Sequence, residues 1–105
     1  MNIRIDNESE RTLISLKGSI DIPGAKSLQK TFDKILNETP KEVDIDLELV
    51  VALDGVDAIG SSGIGALLLF HKECSLRGIK CRIINPNKEI RALFSIIKLD
   101  KLFKF

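Results

Sequence analysis

The stretch Ile59-Gly60-Ser61-Ser62-Gly63-Ile64-Gly65 sets two hydroxyls among three glycines and runs straight into the apolar segment Ala66-Leu67-Leu68-Leu69-Phe70. Serine hydroxyls in a glycine-rich turn ahead of a helix have four chemical uses. They cap the helix by accepting from its first N–H groups. They join free amides in cradling a phosphate. They act as nucleophiles when a base adjoins them. They also accept a phosphoryl group as a regulatory modification.

Spacing separates these uses. A P-loop places a Lys-Ser/Thr pair after its second glycine, and none follows here; the dinucleotide fingerprint reads G-x-G-x-x-G, whereas this stretch reads G-x-x-G-x-G. About 20 residues further on, where a ribose-binding acid belongs, stand Cys81 and Arg82. A nucleophile elbow reads G-x-S-x-G, but Gly60, Ser62 and Gly63 give G-x-S-G, one residue short. His71 is the single histidine and falls on the same helix as both serines, which makes it a poor general base for either. A small hydrolase using Ser61 or Ser62 is therefore the weaker alternative. Helix capping by Ser61 or Ser62 remains, as does phosphorylation at the helix mouth, where a phosphate adds about −1.5 to −2 charge and three acceptor oxygens beside amides that favour anions.

The elements that position this turn follow from periodicity. Ile3 and Ile5, then Ile14 and Leu16, alternate with polar neighbours, which predicts two strands forming a hairpin. Ala25, Leu28, Phe32, Ile35 and Leu36 fall on one side of a helix that Asn37-Glu38-Thr39-Pro40 ends. From Val43 to Leu53 the chain is dense in Val, Ile and Leu without alternation at its end, as in a central strand covered on both faces. A short link, Asp54-Gly55-Val56-Asp57-Ala58-Ile59, leads to the serine turn, and Ile64 to Arg77 reads as a helix ended by Gly78. Ile79, Cys81 and Ile83 predict another strand; Asn85-Pro86-Asn87 starts a helix with Ile90, Leu93, Phe94 and Ile97 as its stripe. Residues 98–105 read as an edge strand. Strands alternating with helices predict an α/β fold, a mixed sheet in one domain over residues 1–105. In such sheets ligands and partners meet the loops that leave the carboxyl ends of strands, where the serine turn lies.

Composition narrows the function classes. The chain has 105 residues, enough for one core. Lys and Arg total 16 against 15 Asp and Glu, with no basic run or aromatic-rich strand, so nucleic acid is not expected as a partner. No apolar segment approaches the roughly 20 residues of a membrane span, and the N-terminus lacks a signal-peptide pattern, so a cytoplasmic protein without direct membrane insertion is expected. Two separated cysteines, Cys74 and Cys81, predict buried reduced thiols and no metal site; no cofactor is expected. Asp44, Asp46 and Glu48 alternate like a solvated strand face and not like paired catalytic acids. Leu67, Phe70 and Cys74 beside Ala66 read as core, while Ile64 and Leu68 project to another side of the helix as either core or an apolar partner patch.

Four segments carry a family resemblance: Lys17-Gly18-Ser19-Ile20-Asp21, residues 50–69, residues 77–86, and the terminal Leu99-Asp100-Lys101-Leu102-Phe103-Lys104-Phe105. In this order they are spread over residues 17–105 and resemble a STAS domain, the family of anti-sigma factor antagonists and sulphate-transporter cytoplasmic domains. The resemblance implies a mixed sheet with helices packed mainly on one side, and no enzyme activity. It also implies partner switching: Ser61, with Ser62 as second candidate, is phosphorylated by an anti-sigma factor with a histidine-kinase-like ATPase fold that acts as a serine kinase. A PP2C-type phosphatase reverses the modification, and sigma-factor-dependent transcription is what it regulates. The partner surface is expected at Asp21, Ile59, Gly60, Ser61, Ser62, Gly63, Ile64 and Leu68. Asp21 matches an acidic residue that family members place beside the serine. Gly60 departs from the pattern, because members commonly carry Asp there. That departure keeps a second reading open, a STAS adaptor subunit of a membrane transport or signalling assembly that is not phosphorylated.

Overall fold

Strand β1 (Asn2–Asn7) and strand β2 (Arg11–Ile20) pair antiparallel, with Ile3 opposite Leu16 and Ile5 opposite Ile14, so their apolar residues share one face. This is the hairpin that the alternation predicts. The computed structural model describes residues 1–39 and 47–104. Val43, Asp44 and Asp46 lie outside the described residues.

Helix α1 (Ile22–Glu38) connects β2 to β3 (Glu48–Ile59), and helix α2 (Ser61–Leu76) connects β3 to β4 (Lys80–Ile84). Both strand pairs are parallel and the sheet order is β1-β2-β3-β4. Two successive crossovers stepping the same way, each with the handedness such connections prefer, put both helices on one face. The packing agrees: Phe32 of α1 stacks on Phe70 of α2 with ring centroids 3.9 Å apart. The Arg77 guanidinium donates to the Leu36 carbonyl over 2.8 Å, tying the far ends of the two helices.

The core lies between these helices and one face of the sheet, formed by Ile14, Leu16 and Ile20 of β2, Leu49, Val51 and Leu53 of β3, and Ile83 of β4. Each fully buried Leu, Ile or Phe contributes about 1.5–3 kcal/mol. Val50 and Ala52 are buried as well, but outside that cluster, on the face turned away from the helices. Their register neighbours there are Leu13 and Ser15 on β2 and Arg82 and Ile84 on β4. From Leu49 to Leu53, strand β3 is thus buried on both faces, and all four described helices pack on the first.

Two expectations are corrected. Residues 54–59 are not a link, because β3 continues to Ile59 with Val56 buried, and Ile20 pairs with Ile59. The C-terminal segment is not an edge strand: after helix α3 (Lys88–Ile96), Lys98 turns left-handed at φ 63° and Leu99–Phe103 form helix α4. Spacing of i, i+4 places Leu99 and Phe103 on one side of that turn, where Phe103 is buried edge-on against Phe94 at 5.6 Å. Asn87 starts α3 as its cap, accepting from the Ile90 N–H at 2.8 Å, and its amide donates to the Val56 carbonyl at 3.1 Å. Among the described residues no helix is long and apolar enough to cross a membrane.

Candidate functional site at the paired helix starts

Parallel β2 and β3 end side by side, so the helices that follow them begin side by side. The Gly60 N–H donates to the Ile20 carbonyl over 3.0 Å, one residue before each helix takes its first helical residue or cap. Asp21 caps α1: its carboxylate accepts from the Gly24 N–H at 2.8 Å, and Pro23 fits the first turn where no N–H is needed. Asp21 thus has a structural duty, and it remains exposed at the surface.

Helix α2 begins differently. Its N-cap is Gly60, not Ser61 or Ser62, and no side chain caps it; Ser61 and Ser62 are its first two helical residues. This corrects the capping role read from the sequence. The first intrahelical bond runs from Ile64 N–H to the Gly60 carbonyl at 3.0 Å. The amides of Ser61, Ser62 and Gly63 precede it and have no intrahelical acceptor. Both serines and Gly60 are exposed, while Gly63 is buried. Aligned peptide dipoles add a partial positive charge at this end of the helix, which favours an anion.

Gly63 is what lets α2 approach so closely. A Cβ there would stand 2.5 Å from Ile20 Cγ2 and 2.8 Å from Ile59 Cγ1, closer than packed atoms tolerate. Gly60 is not under the same constraint. Its φ of −92° and ψ of 177° are ordinary extended values, and a Cβ would meet only the Ile20 carbonyl, at 3.8 Å. The missing carboxylate at position 60 is therefore a matter of sequence and not of space.

Of the expected partner residues, Asp21, Ile59, Gly60, Ser61, Ser62, Gly63 and Ile64 lie at or beside these strand ends and helix starts, with Asp21 and Ser61 each one residue beyond the Ile20–Gly60 bond, whereas Leu68 lies about 10 Å of helical rise along α2 from Ser61. Ile59, Ile64 and Leu68 are half-buried and pack against the core. Leu69 is exposed instead, on an outward stripe of α2 with Ser62, Gly65, Lys72 and Leu76. Ile22 is 64% exposed beside Asp21. Sequence reading missed Ile22 and Leu69; the signal for Ile22 was an isoleucine at the first position of a proline-containing helix turn, where no core faces it.

His71 lies ten residues along α2 from Ser61, about 15 Å of helical rise, and its ring meets Phe103 edge-on at 5.4 Å. Ser61 and His71 therefore do not form a nucleophile and base. Burial, and then the positive charge of Lys104, hold the His71 pKa below its ordinary value. Cys74 is buried and Cys81 half-buried. Interaction with the Cys74 thiol, and then burial, push the Cys81 thiol far up, keeping it protonated. Among the described residues no group of three His, Cys, Asp or Glu side chains stands close enough to hold a metal ion.

Comparison with known proteins agrees with this architecture. The family model for the STAS domain matches residues 2–105. An anti-sigma factor antagonist from Mycobacterium paratuberculosis superposes with a TM-score of 0.75 at 20% identity, covering 97% of this chain and 81% of that one. The Bacillus cell fate determinant SpoIIAA in its phosphorylated form gives 0.72 at 16% identity, with 95% and 86% covered. The SulP transporter STAS domain from Vibrio cholerae gives 0.65 at 22% identity, with 93% and 71% covered. A match to Mglu spans 20% of that longer chain. At these identities the solved structures establish the fold, and the family model establishes the kinship: the chain belongs to the STAS domain family.

Proposed function

We propose that this protein is an anti-sigma factor antagonist that works by partner switching. Unmodified, it binds an anti-sigma factor of histidine-kinase-like ATPase fold that acts as a serine kinase; phosphate on Ser61 releases it, and a PP2C-type phosphatase restores it. The observation that carries this reading is the start of α2. Ser61 stands exposed at the first helical position, behind a glycine cap that leaves three amides without a side-chain acceptor. A phosphoryl group there gains from the helix end without refolding it. Within a packed interface the same dianion meets desolvation and, from Asp21, like-charge repulsion. Ile22, Leu69 and the exposed backbone at Gly65 supply apolar surface next to the switch.

A second reading rests on Gly60. With no carboxylate before the serine, a kinase loses one contact, and the likeness to a transporter STAS domain supports an adaptor that is never phosphorylated. Capture of partners from the native cells with the parent chain and with Ser61→Asp separates the two. Switching predicts a kinase-like partner held by the parent and lost by Ser61→Asp. Transport subunits held equally by both chains would overturn it in favour of the adaptor.

A further inference from the structure

Strand β4 is the last of the sheet and pairs with β3 alone. Beside it lies an open cavity of about 680 Å³, and all five residues of β4, Lys80 to Ile84, line it. Side chains of a strand alternate between the two faces of the sheet. A cavity touched by residues of both parities therefore runs along the strand's edge and not over either face. Alternate residues of that edge aim their N–H and C=O groups away from β3. Among the described residues, no backbone hydrogen bond outside the sheet uses residues 80–84.

The charge around this edge is lopsided in a chain whose formal net charge is +1. Among the described residues, Lys80, Arg82, Lys101 and Lys104 line the cavity against one carboxylate, Glu48, which already pairs with Arg82 at 3.6 Å. A second hollow of about 410 Å³ continues past Ile84 and adds Arg91 to the strip. The cavity floor is apolar, with Ile79, Ile83 and Leu102.

We propose that the edge of β4 is a docking site for an extended acidic segment of a partner protein, which adds to the sheet as a fifth strand. A five-residue strand gives about 17 Å of ladder. Main-chain hydrogen bonds supply the register, and acidic side chains of the segment meet Lys80 and Arg82 at the edge and Lys101 and Lys104 across the cavity. The same cations oppose the other occupant of an open edge, a second copy of this chain, because two β4 edges would bring Lys80 and Arg82 of each against the other. The site involves neither Ser61 nor its neighbours, so it stands or falls independently of phosphorylation.

The test uses a fluorescein-labelled peptide about eight residues long that repeats Glu-Glu-Val-Val, which puts carboxylates on both faces of the added strand, titrated with the whole chain by anisotropy and by amide NMR. Expected are saturable binding, amide shifts concentrated at residues 80–84, and at least about 10-fold weaker binding for Lys80→Glu combined with Lys101→Glu. A peptide with prolines at adjacent positions through its centre, which removes donors from both edges of that stretch, should also bind at least about 10-fold more weakly. Circular dichroism checks that the double variant folds, and a fall in affinity with added salt provides a reading on the parent chain itself. No binding at roughly 1 mM, equal binding of the proline peptide, shifts away from β4, or β4 shifts from self-association without peptide would each overturn the proposal.

Discussion

The Gly60 N–H donates to the Ile20 carbonyl over 3.0 Å, and this single backbone bond joins the starts of both central helices. Ile20 closes β2 and is followed by the cap of α1; Ile59 closes β3 and is followed by Gly60, the cap of α2. Ile20 also lies under Gly63. Asp21 and Ser61 each follow that bond by one residue, so the geometry relating them is set by sheet pairing and not by loop conformation.

Gly60→Asp is expected to stabilise the chain. The backbone there is extended and the added Cβ has room, so the carboxylate can cap the free amides of α2, a gain of a few tenths of a kcal/mol over glycine. Urea unfolding measures it. A loss of more than about 0.5 kcal/mol would contradict the open space at position 60.

Gly63→Ala is expected to do the reverse. Its methyl would press on Ile20 and Ile59, both parts of the packed sheet face, at 2.5 and 2.8 Å. Overpacking of this kind costs about 1–3 kcal/mol. An unchanged unfolding midpoint would contradict the close approach of α2 to the sheet.

Asp21 carries two duties that substitution can separate. Asp21→Ala removes the 2.8 Å bond from Gly24 N–H and should cost about 1 kcal/mol, whereas Asp21→Asn keeps an acceptor and should stay within about 0.5 kcal/mol of the parent. If the charge of Asp21 matters to the partner, Asp21→Asn loses binding while keeping its melting temperature. Equal destabilisation by Asn and Ala would contradict the capping assignment.

His71 gives the fold a pH dependence of known sign. Its pKa is lowered in the folded chain, by burial first and by Lys104 second, so the unfolded chain binds the proton more readily. That contribution to stability is complete above the unfolded value of about 6.5 and is lost as pH falls from there toward the folded pKa. His71→Gln should flatten the part of the stability curve lying in that window. An imidazole titration by NMR at or above the ordinary value would contradict it.

Much of this was legible in the sequence, for identifiable reasons. Ile14 and Leu16 alternate, and Leu49 to Leu53 do not, which is how β2 and β3 differ in the fold. Asn87 and Gly78 mark helix ends by chemistry that works locally, an Asx cap and a left-handed turn at φ 72°. Other features depended on what lies across the fold. Val56 is held in the sheet by β2, although Asp54, Gly55 and Asp57 around it read as a loop. Five residues of α4 are too few for a period to declare itself against a two-residue alternation. Ser61 carries the chemistry of a cap, yet Gly60 takes the cap position and the helix starts at Ser61, three residues ahead of the Ile64 start that the apolar spacing predicts. The cationic edge of β4 was invisible because Lys80, Arg82, Arg91, Lys101 and Lys104 are scattered along the chain and converge only in space.

The most direct test of the account is site-resolved mass spectrometry of this chain purified from its native cells, for the parent, Ser61→Ala and Ser62→Ala. Phosphate is expected on Ser61 in the parent and in Ser62→Ala, as is its disappearance from Ser61→Ala without transfer to Ser62. Phosphate accepted by Ser61→Ala as well as by the parent, or a parent chain never phosphorylated while its partners are bound and released, would contradict it.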